Sequence, residues 1–200
     1  PSYLADRIPA GSTPPSPAMV KAYLTNAARH LTGVSANDNL YSNNQGMGLM
    51  DLGRSFDATP RILRDQDHVI ANTGDSRSFF GTVTDATRPF RVSLAWTDAP
   101  GATTGNSFNN NLDLTVTIGG ATYRGNVFSG ALSVTGGAAD FRNNLESVFL
   151  PAGSRLAPLS PSRSRPPTST GTGYRTTQRG MQPIRITRWW STTALRRRCR

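Results

Sequence analysis

The sequence is short of the residues that build disulfides, zinc sites and membrane-spanning helices. Its 200 residues include one cysteine, Cys199, and two histidines, His30 and His68. A single cysteine forms neither an internal disulfide nor a cysteine-based zinc site. No apolar run approaches the roughly 18 residues that a membrane-spanning helix needs. We therefore expect neither a disulfide-stapled scaffold nor a helical membrane protein, and no membrane partner.

Acidic residues are absent from one part of the chain. Residues 155–200 contain 11 arginines and no lysine, aspartate or glutamate, which gives them a formal charge of +11. Residues 1–154 carry −1, and the whole chain carries +10. Since the excess positive charge belongs to the last 46 residues, the composition excludes a nucleic-acid-binding protein that is basic throughout.

The first residues of the sequence do not have the pattern of a leader segment. The sequence begins at Pro1, with no methionine and no charged stretch followed by an apolar one. Secretory signal peptides have that arrangement. We expect the chain to be an internal fragment that carries no signal peptide of its own.

Residues 16–33 have the pattern of an amphipathic helix. Ser16 is a favourable N-cap, Pro17 suits the first helical position, and Gly33 is a stop signal. The apolar residues at helical spacing are Val20, Leu24, Ala27 and Leu31. The pattern predicts a helix from 17 to about 32. Its apolar stripe must pack on something, and little in the rest of the chain is obviously available to receive it.

From residue 60 onward the pattern changes to that of short strands. Runs rich in β-branched and aromatic residues are separated by turn clusters such as NTGDS and IGGA. This spacing is typical of a mainly β protein with an antiparallel β-sandwich or jelly roll. RVSLAW and LDLTVTI alternate apolar and polar residues, which predicts strands with one buried face. The runs are 61–65, 77–84, 90–97, 112–118, 121–124, 131–135 and 145–150.

Two blocks of the sequence resemble known proteins. PSPAMVKAYLTNAARHLTG followed by NNQGMGLMDLGRSF resembles the end of the catalytic domain of subtilisin-like serine proteases, the subtilases. FRVSLAWTDAPGATTGNSFNNNLDLTVTIGGATYRGN followed by FRNNLESVFLPAG resembles the jelly-roll domain that follows catalysis in a bacterial branch with oxidation-stable alkaline proteases. The resemblance covers residues 3–153, and the order WTDAP, NNLDL, GN and RNNLESV carries it.

The resemblance implies two regions and a function. Residues 1–58 would end an α/β subtilase catalytic domain, and residues 59–154 would form a jelly-roll β-sandwich without its last strands. Residues 155–200 lie outside the resemblance, and their Arg-rich, low-complexity composition predicts a disordered tail. The intact protein would be a secreted serine endopeptidase that acts on protein substrates. The sandwich would stabilise the protease or present substrate.

No catalytic residue of that family falls within this chain. The family's catalytic Asp, His and Ser would all lie before Pro1, and neither Gly-Thr-Ser-Met-Ala nor Gly-x-Ser-x-Gly occurs. Acyl transfer needs a nucleophile, a base and an oriented acid. His30 falls on the predicted last helical turn and His68 in a predicted loop. We expect neither histidine to be catalytic, and the chain alone not to hydrolyse peptides.

Oxygen-bearing residues cluster after the run RVSLAW and before LDLTVTI. Asp98, Asn111 and Asp113 are the candidate metal ligands, because Ca²⁺ takes six to eight oxygens from carboxylates, amides and carbonyls. The jelly-roll domains that the chain resembles are similar in carrying calcium. They often have Asn-Asp-Leu-Asp-Leu where this chain has Asn111 in place of the first aspartate, which weakens the charge of the site. The alternative is that these residues make turn hydrogen bonds.

Arg142 and Glu146 flank an Asn-Asn pair. One interpretation is a contact with the protease domain or with substrate. The other, which we favour, is a salt bridge or cap within the sandwich, because charges in β-sandwiches usually pair or face solvent.

The basic tail allows two interpretations. Clustered arginines favour binding to nucleic acid or to an anionic surface through counterion release. The alternative is a shifted reading frame that begins near residues 153–155. In the frame that begins at the third base of each codon, the codons of Trp189-Trp190 must encode valine and those of Met181-Gln182 must encode alanine. In that frame the codons of residues 182–193 permit a segment similar to the end of the family's jelly roll. We favour the frameshift and expect no nucleic-acid partner.

A stand-alone extracellular β-sandwich that binds, for example, carbohydrate is the main alternative function. The predicted helix speaks against this alternative, since a free module has no use for a helix whose partner domain is absent. A basic-tailed nucleic-acid-binding protein is the third candidate.

Overall fold

The computed structural model describes residues 14–154, except 58, 60, 67–69, 84 and 106–107. The predicted N-terminal loop before residue 14, His68 and the basic tail from residue 155 lie outside the described residues. The helices are α1 (Pro17–Ala27) and α2 (Leu52–Ser55). The strands are β1 (Phe90–Ala95), β2 (Thr115–Ile118), β3 (Ala121–Ser129), β4 (Leu132–Thr135) and β5 (Leu145–Leu150). No helix in these ranges is long and apolar enough to cross a membrane.

Helix α1 begins where the sequence predicts it. The Ser16 hydroxyl accepts a hydrogen bond from the Met19 amide at 3.0 Å, and Pro17 occupies the first turn. Asp65 holds the cap in place by accepting from the Ser16 amide at 2.8 Å and from its hydroxyl at 2.7 Å. The start of the helix therefore depends both on local sequence and on a residue 49 positions away.

The same helix ends at Ala27, well before the predicted end near residue 32. Ala28 already has a ψ of 149°, outside the helical range. Beyond it, the amide and carbonyl of Arg29 exchange two 2.9 Å hydrogen bonds with Leu49. The chain leaves the helix because this long-range bridge, which periodicity does not reveal, satisfies its backbone groups.

The strands form two antiparallel sheets. One contains β1 and β5, in register from Phe90 opposite Leu150 to Ala95 opposite Leu145. The other has the order β2-β3-β4. The prediction of a mainly β protein with antiparallel strands is thus confirmed.

Two of the predicted runs do not form strands. Residues 61–65 run irregularly beside α1, with Leu63 packed on the Tyr23–Ala27 cluster and Arg61 paired to Asp57 at 2.5 Å. In the described part of 77–84, Val83 is the buried residue and most of the others are exposed. These runs have strand-forming composition, but their side chains either pack beside α1 or are mostly exposed, so neither run forms a strand with a buried face.

The β1–β5 sheet is buried on both faces. Phe90 and Val92 of β1 join Val148 and Leu150 of β5 in a cluster that also contains Val116 and Ile118 of β2. On the opposite face, Ala18 and Ala22 of α1 pack against Ala95 and Leu145. Helix α1 therefore packs on one face of the two-stranded sheet and β2 on the other, while β3 and β4 contact β5 through Phe128 and Ser133. Helix α1 has its packing partner in this chain.

The alternation in RVSLAW does not mark a solvent face. Every residue of β1 and of β5 is buried, so the prediction of a half-buried strand is wrong for this run. The polar face meets α1, where the Asn26 amide donates to Ser93 Oγ at 2.8 Å and Ser93 lies 2.9 Å from Ser147 Oγ. The prediction holds for β2, where Val116 and Ile118 are buried and Thr115 is exposed.

Candidate functional site

One aromatic side chain, Trp96, begins the loop between β1 and β2 and also contacts the end of that loop. Trp96 directly follows β1, is 2 % exposed and packs with Leu112 and Leu114. Its indole Nε1 donates to the Asn110 carbonyl at 3.3 Å. The candidate metal ligands Asp98, Asn111 and Asp113 all lie on the loop that Trp96 anchors.

Asp98 uses both carboxylate oxygens inside this loop. Oδ1 accepts from the Ala99 amide at 3.0 Å and from Asn110 Nδ2 at 2.7 Å, and Oδ2 accepts from the amides of Asn109 at 2.7 Å and Asn110 at 3.0 Å. A carboxylate with four N–H donors pins a loop strongly. A cation at Asp98 would have to compete with these donors for the same two oxygens.

Asn111 and Asp113 are exposed, in contrast to the half-buried Asp98. Within residues 14–154, as far as they are described, no three His, Cys, Asp or Glu side chains form a group that holds a metal ion. The hydrogen bonds of Asp98 match the alternative prediction, in which the loop residues make turn contacts. The calcium site stays a prediction.

Glu146 is an ionisable side chain that the fold buries. It is 1 % exposed, on the face of β5 that meets the three-stranded sheet. Its Oε2 accepts from the Leu114 amide, whereas its buried Oε1 has no hydrogen-bond partner among the described residues. A buried carboxylate with one unsatisfied oxygen is costly when ionised.

Burial raises the pKa of Glu146 to about 8. The Leu114 amide opposes this shift, and the charges of Asp113 and Asp140 reinforce it. Burial disfavours the charged form, and like charges nearby disfavour it further. At neutral pH the side chain is therefore mainly protonated.

Of the favoured interpretation, a salt bridge or cap, the described contacts show a cap by Glu146 on the Leu114 amide and no ion pair between Arg142 and Glu146. Arg142 is exposed, and its guanidinium lies 5.0 Å from the Phe141 ring centroid. The described ion pairs include none between Arg142 and Glu146. The reason is that β5 turns Glu146 toward the interior of the molecule, whereas Arg142 stays in the preceding loop at the surface.

His30 lies beyond the end of α1 and not on its last turn as predicted. Its Nε2 is 2.8 Å from the Asp38 carbonyl oxygen. This contact ties the two ends of a loop together. The contact gives His30 a structural role, and the expectation that it is not catalytic stays a prediction.

Arg91 is the second buried charge, on the face of β1 that meets α1. Its Nη1 donates to the carbonyls of Asn26 and, at 3.1 Å, of Ala28, and its guanidinium lies 4.0 Å from the Phe149 ring centroid. Burial, and to a lesser degree the charge of Arg54, lowers the pKa of Arg91 to about 9. The side chain stays positive at neutral pH and caps the carbonyl end of the helix.

Sequence reasoning missed the burial of both charges. The signal for Glu146 is one glutamate within the otherwise uncharged strand LESVFL, and that for Arg91 is an arginine that begins RVSLAW. Both patterns also occur in strands with one solvent face. Only the layers on either side of β1 and β5 distinguish the two cases.

The chain was compared with protein-family models and with curated proteins, and none of them matches it. The resemblance to subtilases therefore depends on the motifs quoted above.

Proposed function

We propose that this chain is the C-terminal part of a secreted subtilisin-like serine endopeptidase, with a jelly-roll β-sandwich after the catalytic domain. Peptide-bond hydrolysis would use an Asp, a His and a nucleophilic Ser outside this chain. The observation that carries the proposal is the order of WTDAP, NNLDL, GN and RNNLESV after PSPAMVKAYLTN. The mainly β, antiparallel architecture agrees with it.

The contact of α1 with the β1–β5 sheet supports a stabilising role for the sandwich. The resemblance assigns α1 to the catalytic domain and the sheet to the sandwich. Ala18 and Ala22 share a hydrophobic cluster with Ala95 and Leu145, and Asn26 bonds to Ser93. In an intact subtilase such a shared core would hold the end of the catalytic domain on the sandwich.

Sequencing the source DNA from upstream of codon 1 through codon 200 tests the proposal. We expect an upstream open frame with Gly-Thr-Ser-Met-Ala, and a missing or extra base near codon 154. A start codon directly before Pro1, with the frame confirmed as written, contradicts it. The purified chain should show no serine-inhibitor-sensitive turnover of casein, and such turnover would refute the expected absence of a triad.

A stand-alone extracellular β-sandwich binding module is the second candidate. The observation in its favour is that α1 packs against other residues of this chain, so the helix can be part of a free module without a second domain. Under this alternative, the full chain should bind an immobilised polysaccharide, and the DNA should lack an upstream protease frame. Absence of binding to a broad set of polysaccharides would remove carbohydrate as its ligand.

Calcium is the cofactor we propose for the loop with Asp98, Asn111 and Asp113. Millimolar calcium should raise the Tm of the full chain, as expected for extracellular sites of modest affinity. Asp113→Ala should abolish the rise, because it removes a proposed calcium ligand. This exposed carboxylate makes no described hydrogen bond, so the variant should otherwise leave the fold unchanged. Asp75→Ala, in a separate turn, is the control. An unchanged Tm in wild type at millimolar calcium would refute the site.

A further inference from the structure

We propose that the peptide bond between Arg77 and Ser78 is a proteolytic processing site for an arginine-specific endopeptidase, and that the two pieces stay together as one folded particle after the cut. Hydrolysis adds water across this bond and leaves a carboxylate on Arg77 and an amino group on Ser78. The proposal goes beyond the function proposed above and does not depend on it.

The segment 71–78 is the longest uninterrupted run of exposed residues in the described part of the chain. From Asp75 to Val83 it forms neither helix, strand nor turn. None of the hydrogen bonds and ion pairs among the described residues involves Ser76, Arg77 or Ser78. An endopeptidase cleaves most readily in such exposed, polar segments, because it binds its substrate extended and through main-chain hydrogen bonds.

Two anchors flank the exposed stretch. On one side, the Asp75 carboxylate accepts hydrogen bonds from two preceding backbone amides, at 2.9 Å and 3.2 Å. On the other side, the Phe79 ring centroid lies 5.0 Å from the Arg64 guanidinium, and Val83 is buried in the core. The bond after Arg77 therefore lies between two points that the fold holds, so a cut there leaves both flanking contacts in place.

The other exposed arginines of the described chain are tied to the fold. Arg29 exchanges two backbone hydrogen bonds across a β-bridge, and Arg124 lies within β3. The Arg142 amide donates to a carboxylate at 2.9 Å, and the Arg88 guanidinium donates to a threonine hydroxyl at 2.8 Å. Cleavage at these positions requires local opening first, whereas the contacts described around Arg77 require none.

A cut after Arg77 divides the fold into two pieces that share a core. The first piece contains both described helices, and the second contains the five described strands. Ala22 of α1 packs in one hydrophobic cluster with Ala95 of β1, and the Leu40 amide donates to the Gly130 carbonyl at 3.0 Å. These contacts do not depend on the covalent link, so burial of the shared apolar surface keeps the pieces together.

Brief digestion of the full chain with trypsin, followed by mass spectrometry and N-terminal sequencing, tests the site. Because the sequence has further arginines outside residues 14–154, only cuts within this range are compared. The first of them should create a new N-terminus at Ser78. A first cut at any other position within this range would overturn the proposal.

Two variants and one control test the recognition of this bond. Arg77→Gln removes the side chain that the protease recognises, and Ser78→Pro keeps that side chain but places a proline after the scissile carbonyl, which trypsin does not accept. Each variant should lose the cut. Arg142→Gln, which removes another exposed loop arginine, should retain it at the rate of wild type. Cleavage at the same bond in either variant, or loss of the cut in the control, would contradict the assignment.

Size-exclusion chromatography of the cut chain, after the protease is inhibited, tests the association of the two pieces. We expect one peak with both pieces in native buffer and two separate pieces in denaturant. The Tm of the cut chain should fall on dilution and that of the intact chain should not, because separation into two pieces follows mass action. Separation of the pieces in native buffer would refute the single particle.

Discussion

The two faces of the β1–β5 sheet each bury one charged residue, and they treat it differently. Arg91 faces α1, where two backbone carbonyls and the Phe149 ring surround its guanidinium. Glu146 faces the three-stranded sheet, where one amide bonds one oxygen and the other oxygen has no described partner. Burial moves the pKa of each group toward its neutral form, and the ordinary pKa of the group then decides whether it is charged at neutral pH.

The elements that cover the two faces supply different partners. A helix ends in carbonyl groups without intrahelical partners, and these attract a cation. A sheet whose backbone groups are paired within their own ladder has fewer donors to offer a carboxylate. Burial nevertheless shifts both pKa values toward the neutral form by a similar amount: Arg91 stays positive at neutral pH because the ordinary pKa of a guanidinium is far above neutral, whereas burial raises the pKa of Glu146 to about 8.

The largest expected effect on this comparison comes from Phe149→Ala. Phe149 is 1 % exposed, stacks under Arg91, and packs with Leu40 and Phe128. The variant should lose roughly 3–5 kcal/mol of unfolding free energy through the cavity it leaves. Chemical denaturation measures the loss, and Phe141→Ala, at a side chain that is half exposed, is the matched control. A loss no greater than that of the control would show that Phe149 does not support the helix face.

Arg91→Met should have the next largest effect. It preserves much of the apolar stem but leaves the carbonyls of Asn26 and Ala28 without their charged donor, which costs about 2–3 kcal/mol. Arg124→Met, which removes an exposed arginine with one 2.9 Å bond to the Gly137 carbonyl, should change little. The comparison of the two faces would fail if Arg91→Met were as stable as wild type in thermal and denaturant unfolding.

Ser16→Ala should have the smallest effect. It removes the N-cap acceptor of the Met19 amide and should cost about 1 kcal/mol. Because Asp65 also bonds Ser16, Asp65→Ala and the double variant complete a thermodynamic cycle. Strictly additive losses would mean that Asp65 and the cap act independently, contrary to the geometry.

Part of the site was accessible to sequence reasoning. Asp98 was predicted at a strand end beside an Asn-rich loop, and the turn hydrogen bonds given as the alternative to calcium are the contacts that Asp98 makes. The sequence singles out Glu146 together with Arg142, but Arg142 lies at the surface and Glu146 is buried. Spacing along the chain does not reveal that Arg142 lies on a loop and Glu146 on a buried strand, so the two side chains have different environments.

The sequence by itself determined the local features of this protein. A favourable N-cap predicts the start of α1. Short turns between runs predict the antiparallel strands around residues 90–95 and 145–150, and the side-chain period predicts the half-buried pattern of β2. The cap and the side-chain period are set by neighbours within a few positions along the chain, whereas the Asp65 contact to the cap and the pairing of β1 with β5 are long-range.

Only the tertiary structure decided the end of α1, the burial of both faces of β1 and the protonation of Glu146. The helix ends where Arg29 bonds Leu49, and RVSLAW is buried because α1 covers its polar face. The charge of Glu146 depends on the layer opposite β5. Each outcome depends on which layer removes water from a polar group and which partners it supplies, and residues distant in sequence provide both.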